Sequence, residues 1–474
     1  MLHLYNSLTR KKEPLQPIRP PHIGIYVCGL TVYDDCHIGH GRLFIWFDVL
    51  IRYLRDIGYE VTYVRNITDI DDKIIKKADE LNIDYRELAD SVIQFMHEDE
   101  AALNIVSPNF EPRVTDHIPE IIAMIDLLIN KGFAYITSRG DVYYSVEKFV
   151  SYGALANRDL HSLQSRMATE QQEDKKNPLD FVLWKAAKPG EPYWNSPWGN
   201  GRPGWHIECS AMAKKYLGST LDIHGGGSDL QFPHHQNEIA QSEAANDVPL
   251  ANCWMHLGFV QNSDEKMSKS LNNFFTLKEI MRSYLPEILR YFSLTSHYRS
   301  PINFSHENME QAETALRKLY IAIRNLDTTE VLSRNKLRNI SKEHHDKFYA
   351  AMDDDCNTPQ AMATLFDLAR EINQLRAAQN LAAATYLGKL LKKLAGVLGL
   401  LQSDPNDFLK YGVDEKAIDV YVAKRHEARN ARNWEEADRI RNQLTGIGIA
   451  LEDTREQTMW FLEDRTKYQR NNFL

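Results

Sequence analysis

Hydrophobic and polar positions change their spacing several times along this chain, and each change marks a different kind of element. Short β-rich runs at 23–27 and 59–64 flank a stretch, 43–58, whose apolar residues recur about every 3.6 positions and which closes at Gly58. That order predicts a βαβ unit and hence a parallel sheet. Ligands of such sheets bind beyond the carboxyl ends of the strands, where residues 28–42 fall.

The pattern breaks over 112–203. A helix is expected at 118–131 and short strands at 142–146 and 181–184, with a polar span at 171–178 between them, the composition of a partly mobile insertion. After Trp205 the β/α style returns, with 221–227 reading as a strand that runs into a glycine turn and 234–245 as a helix. Beyond 305 nearly every segment has the helical period, as at 308–320, 357–375 and 386–394. Asn357, Thr358 and Pro359 form a helix start, a polar cap followed by a proline whose missing N–H costs nothing in the first turn. Residues 403–407 read as a linker to a terminal unit of two helices and a hairpin, 448–454 then 458–462.

The expected fold is therefore α/β. A Rossmann-like parallel-sheet domain in two halves, 1–111 and 204–256, is interrupted by an insertion at 112–203. A loop region at 257–305, an α-helical bundle at 306–400 and a small mixed α/β domain at 401–474 follow.

Composition narrows the class. A chain of 474 residues, 43% hydrophobic and 26% charged, can bury several cores, so a metal is not needed to hold it together. Five scattered cysteines, an odd number, indicate a reducing compartment. The N-terminal ten residues lack a signal-like apolar core, and the greasy run at 121–129 is broken by Asp126. A cytoplasmic protein without membrane association is expected. The net charge of -9 excludes wholesale coating of nucleic acid but not local basic patches.

Candidate chemistry concentrates in the run YVCGLTVYDDCHIGHGR at 26–42, with two cysteines and two histidines that suit a metal cage, a phosphate cradle, or part of each. His37 and His40 sit in the turn after the first strand, where helix-terminal N–H groups already favour anions; their imidazoles could donate to a phosphoryl group, and Gly39 would let a nucleotide approach. KMSKS at 266–270 follows an expected strand and places Lys266 and Lys269 where cationic donors could meet a leaving pyrophosphate. Taken alone, each motif is also compatible with an ordinary surface loop; both in this order, each beside a strand end, weigh strongly against that. The GxGxxG match at 199–204 lacks a preceding strand and contains Pro203, which argues against a dinucleotide site, and no Walker P-loop is present. Near the C-terminus, 424–441 interleaves six Lys or Arg with Trp434, a pattern for phosphate contact and base stacking that also fits a solvated helix with a core tryptophan.

HIGH followed by KMSKS is the double signature of class I aminoacyl-tRNA synthetases, and over nearly its whole length the chain resembles the cysteinyl-tRNA synthetases. The likeness is carried by 26–34, by YVRNITDIDDK at 63–73, by GRPGWHIECSAM at 201–212, by HGGGSDLQFPHH at 224–235 and by WEEADRIR at 434–441. It implies activation of L-cysteine with ATP and Mg²⁺, with His37, His40, Lys266 and Lys269 as catalytic groups and Gly39 at the nucleotide. Transfer to the terminal adenosine of tRNA(Cys) would follow. By helical spacing, Glu238 shares a face with His234, and His235 would serve nearly as well; Cys28 ends a strand and Cys209 could reach it. The resemblance selects Cys28, Cys209, His234 and Glu238 as ligands of one Zn²⁺ per chain. It leaves Cys36, Cys253 and Cys356 to ordinary packing, and puts Thr31, Thr68, Trp205, His224 and Asp229 around the amino-acid pocket.

It further implies a stem-contact role for 257–305 and anticodon binding for 401–474, with Arg429, Trp434, Asp438 and Asp453 as readers. Direct bonding of the substrate's sulfur to zinc would select against serine and make an editing domain unnecessary, and a monomer is expected. Departures from the family pattern, Leu30, Gln236, Asn272 and Cys356, touch no implied ligand or signature lysine. Two other readings are disfavoured: a ligase joining cysteine to an amino sugar would need no anticodon reader, against which the tail at 401–474 argues, and a noncatalytic RNA-binding descendant would not need both signatures complete.

Overall fold

The computed structural model describes residues 1–157, 174–262, 265–266, 275–326, 335–453 and 458–470. They form two compact units, one made of residues 1–282 with short returns at 297–302 and 353–356, the other of 283–296, 303–352 and 357–474.

At the centre of the first unit is a four-stranded parallel sheet built from β3 (His22–Thr31), β4 (Glu60–Thr68), β9 (Leu221–Gly227) and β10 (Ala251–Leu257), in the order β10-β9-β3-β4. Strands β1 (His3–Asn6) and β2 (Lys11–Pro14) form a separate hairpin before it. The crossover from β3 to β4 is α1 (Ile38–Asp56), whose hydrophobic residues are buried on nearly every face because it lies within the core. The chain passes from β3 outward to β4, then returns to β3's other side as β9. This reversal of strand order opens a crevice at the carboxyl ends of β3 and β9.

Between β4 and β9 lie α2 (Asp72–Leu81), α3 (Tyr85–Ala102) and α4 (Ile118–Asn130). An antiparallel sheet follows, composed of β5 (Ala134–Ile136), β6 (Val142–Tyr144), β7 (Phe181–Ala186) and β8 (Gly201–Pro203). The glycine match at 199–204 belongs to this sheet. A Cβ on Gly201 would come within 2.4 Å of the Trp184 ring, and one on Gly204 within 2.1 Å of the Val182 carbonyl, so these glycines let β8 lie flat on β7. The polar span at 171–178 lies in part outside the described residues.

Two expectations are corrected. Residues 225–227 are not a turn: all three glycines continue β9, opposite Met255, His256 and Leu257 of β10. A Cβ on Gly225 would stand 2.1 Å from the Phe47 ring, so the strand can pass beneath α1 only with a glycine at that position. Residues 403–407 are not simply a linker either. Asp404 accepts from the N–H groups of Asn406 and Asp407 and starts a short helix, Pro405–Lys410, by the same cap-and-proline signal that starts Thr358–Ala377 at Asn357.

The second unit is mostly helical, with long helices at His306–Ile323, Asn335–Asp353, Thr358–Ala377 and Leu381–Val397. Its C-terminal part pairs helices Glu415–Asn430 and Trp434–Gly446 with a hairpin of Ile449–Asp453 and Thr458–Leu462, around Ile418, Ile440, Leu444, Trp460 and Leu462. Among the described residues no helix is long and apolar enough to cross a membrane.

Candidate active site

Cys28 and Gly29 fall where the β3–β4 pairing skips between Val27 and Leu30, an irregularity that re-aims the side chains at the end of β3. The irregular backbone is locked by the Asn66 carboxamide, which accepts from Gly29 N–H at 2.9 Å; a Cβ at Gly29 would overlap the Asn66 carbonyl. Cys28 is thereby held near Cys209 of α5 (Trp205–Leu217), with Sγ to Sγ 3.7 Å, and 3.2 Å from Oε1 of Glu238 in α6 (Gln236–Asn246). His234 stands just before α6, in a π-turn over Gln231–His235, and its Nε2 is 3.1 Å from the same Oε1.

All four side chains are buried, and their donor atoms lie within 4.8 Å of one another. Two sulfurs each about 2.3 Å from a tetrahedral zinc would sit about 3.7–3.8 Å apart, so the donor set fits zinc in identity and spacing. A second grouping, Cys28, His224, His235 and Glu238, shares two of these residues.

Electrostatics prepares the cluster. Burial raises the Cys28 thiol well above the ordinary range, helped by Cys209 and Glu238. Burial would raise Cys209 as well, but hydrogen bonds from Cys28 and His234 hold it down at about 6. Burial opposes charge on Glu238 and His234 too, yet His224 and His234 keep Glu238 well below the usual carboxylate range. Glu238 and Cys209 lift His234 to about 10. A metal bound by these four side chains would take the place of the protons that otherwise sit on the thiols and the imidazole.

A second layer supports these four: His206 and Asn66, which the sequence did not single out, and His224, which it placed around the amino-acid pocket instead. His206, three residues before Cys209 on one face of α5, places its Nδ1 2.9 Å from His234 Nδ1. His224 Nε2 lies 2.9 Å from Glu238 Oε2, its ring stacked on Trp254. Asn66 also accepts from Cys209 Sγ at 3.6 Å. Such partners orient ligands. The i, i+3 spacing of His206 and Cys209 was a usable signal; Asn66 gave none.

Above the cluster opens a cavity of about 580 Å³ whose lining includes Cys28, Thr31, Trp205, Asp229, His37, Gly39 and His40. Thr68 and His224 do not line it: both are buried, Thr68 with its hydroxyl 3.0 Å from Glu208 and His224 behind Glu238. The reason is the pleat, since their strands turn these side chains toward α5 and α6. Lys73 lines the cavity too, an addition the motif reading lacked.

His37 caps α1. Its Nδ1 accepts from Gly39 N–H at 3.0 Å and His40 N–H at 3.4 Å, while His40 Nδ1 accepts from His37 N–H at 3.3 Å; the rings stack 3.6 Å apart. A neutral imidazole that accepts at Nδ1 carries its proton on Nε2, so both rings are fixed as Nε2–H donors. Of the lysine signature, the backbone of Lys266 lies in the short strand Glu265–Lys266; its side chain, Lys269 and Asn272 fall outside the described residues.

In the second unit, Arg425 holds Asp453 through two hydrogen bonds of 2.7 and 2.8 Å, and Arg429 adds an ion pair at 2.6 Å. Asp438 is exposed. Trp434 is 59% exposed, so it is not the core tryptophan that composition allowed; Trp460 takes that place, with Nε1 donating to Asp419.

Comparison with known proteins agrees with this geometry. Residues 14–314 match the family model of the class I (C) tRNA synthetase catalytic domain, and residues 347–402 match a DALR domain. The chain is 53% identical to a cysteine–tRNA ligase of Thioalkalivibrio sulfidiphilus, covering 97% of this chain and 99% of that protein. It is 52% identical to one of Pseudomonas aeruginosa, covering 98% and 100%. Two solved Mycobacterium tuberculosis methionyl-tRNA synthetases bound to methionyl-adenylate superimpose with TM-scores of 0.55 and 0.58. They are 14% and 15% identical and cover 85% and 83% of this chain, and 93% and 94% of their own. They share the fold.

Proposed function

The chain belongs to the cysteine–tRNA ligases, class I aminoacyl-tRNA synthetases that join cysteine to tRNA at the expense of ATP, and from that premise we propose how its own residues carry the reaction. Cysteine enters the cavity with its side chain toward Cys28, and its carboxylate attacks the α-phosphorus of Mg²⁺–ATP in line, forming cysteinyl-adenylate and expelling pyrophosphate. The Nε2–H groups of His37 and His40 donate to the phosphoryl oxygens as charge builds, and Lys266 and Lys269 neutralise the departing pyrophosphate. The 2′-hydroxyl of the terminal adenosine then attacks the adenylate carbonyl, AMP leaves, and the cysteinyl ester remains on the tRNA.

The buried set of Cys28, Cys209, His234 and Glu238 beneath this cavity is the observation that carries the substrate assignment. These residues would hold one zinc. When bound, zinc supplies a soft Lewis-acidic position that lowers a thiol pKa and prefers sulfur to a neutral hydroxyl. An apolar pocket discriminates poorly between near-isosteres, so without such a position serine would be rejected weakly. Thr31, Trp205 and Asp229 line the pocket around the amino acid, Thr68 and His224 act from behind, and Arg429, Trp434, Asp438 and Asp453 read the anticodon.

The test is zinc content measured together with ATP–pyrophosphate exchange driven by cysteine and by serine. The zinc-loaded protein should favour cysteine strongly. After chelation the preference should fall at least a hundredfold and return with added zinc. An unchanged preference in the stripped protein would refute the zinc assignment.

A further inference from the structure

Arg42 lies one turn into α1, is 3% exposed, and lines the cavity. Among the described residues its guanidinium has no carboxylate partner. Instead Nη1 donates to the carbonyls of Gly258 at 2.8 Å and Phe259 at 3.0 Å, and Nη2 to those of His297 at 3.3 Å and Ser300 at 2.7 Å. A buried arginine spent wholly on backbone acceptors carries a desolvation cost that an ion pair would offset. Burial lowers its pKa only to about 10, so it stays cationic at neutral pH.

Its four acceptors mark one place in the chain. Residues 258–259 join β10 to the strand Val260–Asn262, where Gln261 pairs with Lys266. Residues 297–300 are the return segment against which this joint is pressed: Gly258 N–H donates to Tyr298 O at 2.8 Å, Ile302 N–H donates to Phe259 O at 3.0 Å, and a Cβ on Gly258 would lie 2.5 Å from the Ser300 carbonyl. The far end of the lysine-bearing stretch is tied to the start of α1 by backbone bonds, Leu277 N–H to Cys36 O at 2.8 Å and Ile38 N–H to Phe275 O at 3.2 Å. The near end is tied to α1 by Arg42.

We propose that Arg42 is a positioning residue for amino-acid activation, holding the joint that leads to Lys266 in register with the helix that begins at His37. The proposal rests on the signature roles given above and adds that their spacing is set by a guanidinium fork. Lysine retains the charge but cannot span four carbonyls in two directions. The effect belongs to the step in which pyrophosphate leaves, because transfer of cysteine from adenylate to tRNA needs no contact with pyrophosphate.

The test uses the full-length zinc-loaded protein. Arg42→Lys should lower kcat for cysteine-dependent ATP–pyrophosphate exchange at least tenfold. Zinc content and KM for cysteine should stay within twofold, and single-turnover transfer from preformed cysteinyl-adenylate within threefold. Exchange at the parental rate would overturn the proposal, as would an equal loss in exchange and transfer, the mark of a merely structural role. Should the lysine variant lose zinc or fold poorly, Arg42→Gln decides by the same split: slowed exchange with zinc and transfer kept supports it, and joint loss overturns it. Lys269→Ala run in parallel reports on the signature role itself, so failure of that premise shows as unimpaired exchange in Lys269→Ala whatever Arg42 does.

Discussion

His37 serves two purposes with one ring. Its Nδ1 satisfies two N–H groups at the start of α1, and the same bonds fix Nε2 as a donor at the cavity. His37→Ala should therefore lose about 1 kcal/mol of stability with the cap and slow exchange about a hundredfold with the donor. His37→Asn, which still offers an acceptor to the helix, should recover most of the denaturation midpoint and little of the rate. Asp99 shows the opposite use of burial. Desolvation and the nearby Asp35 push its carboxyl up to about 6, with Lys278 opposing and Glu98 and Glu100 adding to the rise. An unfolded aspartate titrates near ~3.9, so the folded state binds the extra proton between about pH 4 and 6, and stability falls as pH rises through that window. Asp99→Asn should flatten this slope and stabilise the protein at pH 7 by about 1 kcal/mol once solvent screening is allowed for, as read by urea unfolding at pH 4.5 and 7.

Among the elements, β9 is closely constrained at its carboxyl end. Its terminal glycines let it slide under α1 and still pair with β10, delivering His224 behind Glu238. Gly225→Ala would press a methyl group into the Phe47 ring and should cost about 2–3 kcal/mol, measurable as a lowered denaturation midpoint. Three consecutive glycines read as a turn in sequence because what crowds out their side chains is tertiary: the Phe47 ring, some 180 positions earlier, at Gly225, and His235 with Leu230 at Gly226. Local signals fared better where the chemistry was local: the cap at Asn357, the closing Gly58 and the hairpin ending at Asp453 and Thr458 all lie where pattern put them. Asp404 and Pro405 carried the Asn357 signal as well, but in a stretch too short for a helical period to show.

For the molecule as a whole, the proposed division of labour makes the two chemistries separable. Activation draws on residues of the first unit and anticodon reading on residues of the second. Trp434→Ala should raise KM for tRNA in cysteine charging at least fivefold while leaving ATP–pyrophosphate exchange unchanged, because an exposed indole contributes stacking to an RNA base and nothing to the protein core. Loss of exchange in that variant would contradict the division.

By itself the sequence determined the βαβ order, the two signature motifs and the residue types from which a zinc site could be made. Periodicity, caps and motif spacing are properties of neighbouring residues, and neighbours are what a sequence records. Only the tertiary structure decided that Cys28 and Cys209, 181 positions apart, meet at 3.7 Å, and that His206, His224 and Asn66 stand behind the ligands. It alone decided that Arg42 spends its charge on four carbonyls more than 200 residues away. Those outcomes depend on strand order and on which side chains a crossing helix leaves room for, and neither is set until the sheet has closed.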